Sequence, residues 1–556
     1  MIPDILEYLN GNVPMGLWAL PFIGGLFTFV WWFVWHSTRF WDLKRFWRIF
    51  AIGWIIILAS YTSFWRLNPP QTIPTRVFVR AGDGIGVSPG AWAEGVADII
   101  RARLRAAPEP FVVLDEESAP MLASASTDAE LDGFASRIRV KYIVIVTQDS
   151  IGTEGRPPVK IAIRSSSGGR YKPLSEFPAP DLSFSTLTTW AAEAVAQQLG
   201  GVDLKGRWAG RLPSLPDSVL EVHFLAYTVR RQGEHELAAA LFMEEADADT
   251  SWSAPRIELA RTWLKSTPYQ HEEAIRSSLL QAAAIDRENP ESYILLGRHF
   301  LEFRDWEEAE SALKLAYYFD PDDPRTYFYL SRLMENRFAD LPLKSSRELI
   351  ERALHLAPGY ETARLGYIEK MRAVYEKRKL TEVVEEGLHI DPHSRSLLVT
   401  ASALYIQHQK YDMAANRCQV LLERNPRDNE ALYNLGLCRL WLKHYDEAIA
   451  LFDSSRSNGG SVENLYYTGV AYQIQHRDLE AIEWFQKRFA AAKNQSDQGA
   501  ISSRARILML KDRILQDSLK KTGWEPPDLF ERYDAEKKEL LLRKAYRDST
   551  ATVTQK

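Results

Sequence analysis

From Val219 onward the chain repeats itself about every 34 residues, and this periodicity restricts the fold more than any single residue does. The clearest copy is NEALYNLGLCRLWLKHYDEAIALFDSS, Asn429 to Ser455, where Leu432, Leu435, Gly436, Tyr445, Ala448 and Phe452 recur at helical spacing on either side of a short polar turn. Small Gly436 and Ala448 let two helices touch, while Tyr445 and Phe452 fill the adjoining space. The preceding copy begins at Arg395 and carries Ser402, Tyr411, Ala414 and the terminating Pro426; a further copy begins at Pro290 with Gly297, Trp306, Ala309, Ala316 and Pro321. One such helix pair cannot bury its own apolar face, so neighbours must stack on it.

Five weaker copies complete the array: Val219 to Trp252 (Ala226, Ala238, Phe242), Pro255 to Asn289 (Ala274), Pro324 to Tyr360 with a short insertion, Glu361 to Ser394, and Val462 to Gln495 (Gly469, Ala481, Phe485). Eight copies are expected over 217–496. The copy Glu361 to Ser394 has Ile368 and Leu380 where small residues belong, which predicts irregular helix packing there. The motif resembles the tetratricopeptide repeat. That resemblance implies a right-handed superhelix whose concave side is lined by the first helix of each pair and takes a peptide or a partner helix. Arg298, Phe328, Arg332, Tyr433, Trp441 and Tyr466 are the groove candidates, because aromatic and Arg side chains are the usual anchors of interfaces. Residues 497–548 read as capping helices: Gly499 to Gly523 with a charged outer face, then the charged helix Glu525 to Arg547.

The N-terminus is built for a different solvent. Eight of the 17 tryptophans lie in the first 65 residues, and no Asp, Glu, Lys or Arg occurs from Tyr8 to Thr38. A helix of about 20 apolar residues crosses a hydrocarbon core. Residues 1–67 are therefore expected to form a transmembrane hairpin, with spans at about 13–36 and 49–65. The loop 37–48 carries Arg39, Lys44, Arg45 and Arg48 against Asp42 alone, which places it in the cytoplasm and both chain ends outside. Trp18, Trp35, Trp41, Trp47 and Trp65 are the expected anchors at the lipid headgroups. On this reading the rest of the chain faces the periplasm from a bacterial inner membrane.

Between hairpin and repeats, residues 74–204 alternate strand and helix: Arg76 to Val79, Trp92 to Arg105, Phe111 to Leu114, Ala129 to Arg137, Lys141 to Thr147, Val159 to Arg164 and Leu187 to Leu199. The passages WAEGVADIIRARL, FVVLD, LDGFASRIRVKYIVIVTQDS, VKIAIRSSSGG and WAAEAVAQQL resemble the N-terminal domain of TolB and its relatives. In that family the domain is a non-catalytic interaction module. Glycines 82, 84 and 86 do not form a dinucleotide fingerprint, since Val87 and Pro89 stand where the third glycine belongs; a turn is expected instead. The fold class that emerges is mainly α: two transmembrane helices, a small α/β domain, then an α-solenoid.

The composition excludes several functions. A net charge of -5 over 556 residues gives no basic footprint for nucleic acid. The histidines show no H-E-x-x-H spacing, and neither a G-x-S-x-G elbow nor a Walker loop occurs. No metal, cofactor or catalytic residue is expected. Cys418 and Cys438 fall on neighbouring helices and leave free thiols or a bridge both open. The expected partners are proteins, met through the repeat groove and through the α/β domain, and the lipid bilayer; oligomeric state is left open. The expected function is a membrane-anchored scaffold on the periplasmic side, serving as a subunit of a larger complex. The alternative is a periplasmic chaperone holding client peptides, similar to the repeat proteins of cytochrome c maturation.

Overall fold

The computed structural model describes residues 75–82, 91–105, 111–148, 159–167, 170–178, 184–199, 217–333, 343, 345–372, 377–492 and 497–521. The expected hairpin at 1–67, its tryptophan and arginine anchors, Gly84, Gly86 and the helix Glu525 to Arg547 lie outside these residues. Among the described residues no helix is long and apolar enough to cross a membrane. The chain divides into two units, Met1–Tyr367 and Ile368–Lys556, each described here by itself. The division falls at Ile368, in the repeat where large residues replace small ones.

Unit 1 opens with a five-stranded sheet in the order β2-β1-β3-β4-β5. Strands β1 (Thr75–Ala81), β2 (Phe111–Leu114) and β3 (Val140–Gln148) run parallel, and β4 (Val159–Ser167) and β5 (Arg170–Pro178) continue as an antiparallel meander. Val77, Phe78, Val79, Ile143, Val144 and Val146 are β-branched or aromatic and buried, as central strands covered by helices require. Helix α1 (Ala91–Arg105) packs Val96, Ala97, Ile100 and Leu104 on the sheet beside α4 (Phe184–Gln198). The short α2 (Pro120–Ser124) and α3 (Asp128–Arg137) connect β2 to β3. Thr127 caps α3 by accepting from the Glu130 amide, while Ser126 donates to the Glu130 carboxylate. Strand β5 is an addition to the elements expected from sequence. It is an edge strand with Pro173 and Pro178 and alternating exposed residues, so it lacks the apolar run that marks a buried strand. Gly82 ends β1 with its amide 2.7 Å from the Val146 carbonyl, and a Cβ there would meet Ile145 and Thr147, a structural role for the first glycine of the cluster.

Helix hairpins follow: α5 (Asp217–Arg231) with α6 (His235–Ala248), α7 (Ala254–Ser266) with α8 (Glu272–Ile285), α9 (Pro290–Phe303) with α10 (Trp306–Phe319), α11 (Pro324–Leu330) with α12 (Ser346–Leu356), then α13 (Glu361–Met371). Unit 2 holds α14 (Lys377–Ile390) and the pairs α15 (Arg395–Gln407) with α16 (Tyr411–Arg424), α17 (Asn429–Trp441) with α18 (Tyr445–Ser457) and α19 (Glu463–Ile474) with α20 (Asp478–Ala490), ending in α21 (Gln498–Lys521). The period is written in the caps. Asn289, Asp323, Ser394 and Asp428 each accept a backbone amide at the start of a first helix, filling one of the orphan donors there. It is written again in the turns, where Arg304, Gln409, Lys443 and His476 take positive φ after the first helix. Close approach within a pair depends on Gly297, Gly436 and Gly469, at which an added Cβ would collide with Leu313, Phe452 and Phe485. In unit 2, Phe452, Val470, Ala471, Phe485 and Leu510 join one core running from α17 to α21.

Candidate partner-binding surface

In unit 1 the face built by the first helices is already occupied, and by the chain's own α/β module. Gly95 of α1 lets Phe224 of α5 seat so closely that a Cβ there would lie 2.4 Å from the ring. Alongside, Tyr227 donates to Asp98 at 3.2 Å and Arg231 pairs with Glu94. Farther along the array, Arg105 of α1 stands 3.6 Å from Glu291 of α9, and Asp115, at the end of β2, stands 3.5 Å from Arg325 of α11. Glu117 accepts from the Tyr329 hydroxyl at 2.6 Å and from Tyr360 at 3.1 Å. Met121 of α2 packs where Gly359 leaves room.

These contacts are threaded by an alternating ladder of charge. Arg230 pairs with Glu258 at 2.7 Å, Arg261 joins Glu258 to Glu291 at 2.6 Å, and Arg325 spans Glu291 at 2.7 Å and Asp323 at 2.6 Å. The ladder steps across four first helices, α5, α7, α9 and α11. Burial disfavours the ionised carboxylates, but the facing arginines outweigh it: Asp115 and Glu291 are held well below the usual carboxylate range by Arg325, with Arg105 and Arg261 adding to it. Burial, then Glu117, pushes the Tyr329 and Tyr360 hydroxyls up, so both remain donors at neutral pH.

One residue closes the junction from the sheet side. Arg76 of β1 is 3% exposed, and its guanidinium donates to Leu356 O at 2.8 Å, His355 O at 2.5 Å and Ile138 O at 2.9 Å. Two of these are carbonyls at the C-terminal end of α12, where the last turn has no amide partners and a cation is favoured. Burial, with Arg139 nearby, lowers the Arg76 pKa to about 10, still high enough to keep the charge.

Beside this junction a cavity of ≈ 130 Å³ is lined by Asp98, Arg101, His223, Tyr227, Trp252 and Glu258, among others. His223 stands in an aromatic surround of Phe224, Tyr227, Phe242 and Trp252, and its Nδ1 lies 2.8 Å from the buried Glu245. Burial raises the Glu245 pKa against the hydrogen bond from His223. Among the described residues no cluster of His, Cys, Asp and Glu is spaced to hold a metal ion.

The groove candidates separate once placed. Phe328 is a core residue rather than a surface one: its ring packs on Tyr329 and Tyr360, and Gly366 leaves room for it. Arg298 is half-buried, and against burial its pKa is raised by Tyr329 and Glu117, the residues of the junction. Arg332 is exposed but lies in the turn after α11, which ends at Leu330, so it is on no helix face. The sequence places Arg332 on the first-helix face, but α11 ends two residues before it. In unit 2, Tyr433 wedges between helix pairs, 5.9 Å from Tyr467 and 6.1 Å from Phe452. Tyr466 is held by α21, its hydroxyl accepting from Arg506 at 2.9 Å. Trp441 is 46% exposed and stacks on Tyr411.

Trp441 belongs to a line that the sequence reading missed. Ile474, 33 residues later, is 38% exposed, and Leu508, a further 34 on, is 62% exposed. Equivalent positions of successive repeats share a face, so the three form an apolar row across α17, α19 and α21. The signal was present in the repeat spacing, but only exposure separates such a row from core. Cys418 and Cys438 are buried and unbridged, and burial pushes both thiols up to about 12, which makes them unreactive.

The described residues form stacked helix pairs that, in unit 1, carry an α/β module on their first helices. Residues 401–462 match the model of a tetratricopeptide repeat family. Among solved structures the chain is similar to pilF of Pseudomonas aeruginosa, at 15% identity and a TM-score of 0.32 over 40% of this chain and 98% of that one. It is also similar to the Cut9–Hcn1 hetero-tetramer of the APC/C, at 14% identity and a TM-score of 0.36 over 60% of each chain. No curated protein matches the sequence. Tetratricopeptide repeats mediate protein–protein interactions, which supports a scaffold role.

Proposed function

We propose that this protein is a membrane-anchored scaffold that gathers protein partners on the periplasmic side of an inner membrane, with the first-helix face of unit 2 as the docking surface. The observation that carries the reading is the apolar row begun by Trp441 and Ile474, exposed at repeat spacing while the corresponding face of unit 1 is filled. Exposed aromatic and aliphatic residues in a row are the usual anchors of a bound segment. The uncharged stretches at 13–36 and 49–65 and the basic loop between them support the anchor and its orientation, and the TolB-like pattern of the α/β module supports a second, non-catalytic interaction surface.

The test is purification of the tagged full-length protein from its native membrane in mild detergent, beside a Trp441→Ala/Ile474→Asp variant. The expected outcome is a stoichiometric partner with the wild type and at least tenfold less with the variant. Equal recovery would remove the docking surface from the proposal, and a varied, substoichiometric set of secreted proteins would replace the scaffold by a chaperone. A periplasmic reporter fused after Lys556 tests the compartment; its failure would sink that part.

A further inference from the structure

The strands of the sheet in unit 1 share an end, the one at which the chain enters, and it is basic. β1 begins there at Thr75, and its second residue, Arg76, is in register with Val140 at the start of β3. The antiparallel pairs Tyr142–Ser165, Ser165–Lys172 and Ser167–Arg170 bring the end of β4 and the start of β5 to the same level. The Tyr171 hydroxyl donates to the Val140 carbonyl and ties β5 to β3 there. Lys141, Arg170 and Lys172 therefore lie within the width of three strands, about 10 Å, all exposed and without a carboxylate partner among the described residues. Arg137, the last residue of α3, and Arg139, in the turn into β3, are exposed beside them. The acids of α3 are engaged elsewhere: Asp128 and Asp132 face Arg164, and Glu130 accepts from Ser126. At the opposite end of the same strands the exposed charges are mixed, Lys160 with Glu176.

We infer that this basic rim, Arg137, Arg139, Lys141, Arg170 and Lys172, binds the anionic phospholipid headgroups of the membrane that anchors the chain. The inference rests on the anchor of the proposed function and adds a second, electrostatic contact to it. The occupant follows from where the rim lies along the chain. Only residues 66–74 separate Thr75 from the uncharged stretch that ends at Trp65, and nine residues span at most about 30 Å. Among the described residues, the end of the sheet at which β1 begins is thus the part that the anchor holds nearest to the bilayer along the chain. Guanidinium and ammonium groups donate to phosphate oxygens, the first as a fork and the second as a point charge. Each Lys or Arg brought within a Debye length of an anionic surface, about 10 Å, strengthens the attraction about fivefold. The contact also sets how unit 1 stands on the membrane, because Arg76, at this same end of β1, already joins the sheet to the last turn of α12.

Lysine acetylation of the full-length protein, read by mass spectrometry in nanodiscs of phosphatidylcholine alone and of phosphatidylcholine with phosphatidylglycerol, tests it. Lys141 and Lys172 are expected to react about fivefold more slowly, or slower still, in the anionic discs, while Lys160 and Lys265 react alike in both. High salt is expected to remove the difference, and Arg170→Glu/Lys172→Glu to return Lys141 to its rate in neutral lipid. Equal rates at Lys141 and Lys172 in the two lipids would overturn the inference, as would slowing that survives the charge reversal. Slowing that requires a co-purifying protein in place of phosphatidylglycerol would assign the rim to an acidic protein surface and overturn it equally. If hydrogen exchange shows that the reversal loosens β5, Arg170→Gln/Lys172→Gln decides on the same criteria. Alkaline extraction reads the anchor separately. Protein that stays in the bilayer with equal rates loses only this inference. Protein that is extracted loses the anchor, and co-sedimentation with vesicles of the same two compositions then tests the rim, equal binding to both overturning it.

Discussion

Arg76 shows how much one side chain can join. It sits in a strand, TRVFVRA, whose sequence asks only for a sheet, yet its three acceptors come from 62, 279 and 280 residues away. Replacing it by Met keeps the bulk and removes every donor, leaving buried carbonyls without partners at about 1–3 kcal/mol apiece when water cannot reach them. Arg76→Met is therefore expected to lower the stability of the full-length protein by roughly 2–4 kcal/mol in urea unfolding. A change below 0.5 kcal/mol would mean that water replaces the guanidinium. The groove candidates carry a related lesson. Phe328 and Arg298 have the residue types of interface anchors, but Phe328 packs as core against Tyr360, and the Arg298 pKa is raised, against burial, by Tyr329 and Glu117 of the same chain.

At the scale of elements, the repeat hairpins turn through residues that a side chain makes awkward. Lys443 holds φ at 68° between α17 and α18, and Gln409 and His476 do the same one repeat away in either direction. In that region a Cβ crowds the following carbonyl, and Gly escapes the cost. Lys443→Gly is expected to stabilise unit 2 by about 0.5–1 kcal/mol, read as a shift in its urea midpoint with unchanged slope. A loss of stability would show that the extra freedom of glycine in the unfolded chain outweighs the relieved strain. Element types were legible where period and caps agreed, as from Arg395 to Ala490. They were not legible at β5, an edge strand of mixed polarity, nor in α11, where Leu330 ends a helix whose pattern runs on.

For the whole of unit 1 the junction between the α/β module and the first helices is a set of carboxylates held by arginines, and its dependence on pH follows. Asp115 and Glu291 have folded pKa values below their unfolded values, which lie near 4. Such groups contribute stability above about pH 4 and lose it as pH falls toward the folded values, because the unfolded chain takes up the protons first. Thermal unfolding of the full-length protein is thus expected to show a steep decline in the midpoint of unit 1 below about pH 4. Asp115→Asn, which retains an oxygen for the Ser118 amide, is expected to flatten that decline while lowering stability at pH 7. An unchanged slope would show that the ion pairs across the junction do not carry it.

The sequence by itself determined the repeating unit: its small contact residues, its caps and turns, and the α/β pattern before it. These are local or periodic properties, set by which residues fit a helix pair or a pleated strand. It also determined the uncharged N-terminal stretches, whose composition restricts them whatever the fold. Only the tertiary structure decided which repeat faces remain free. Glu117, Asp115 and Arg105 look like ordinary surface charge until the fold carries them onto partners 186 to 243 residues away, and no periodicity encodes that meeting. The same holds for Trp441 and Ile474, whose types suit a core as well as a surface. What distinguishes them is which neighbours arrive to cover them, a property of the folded chain.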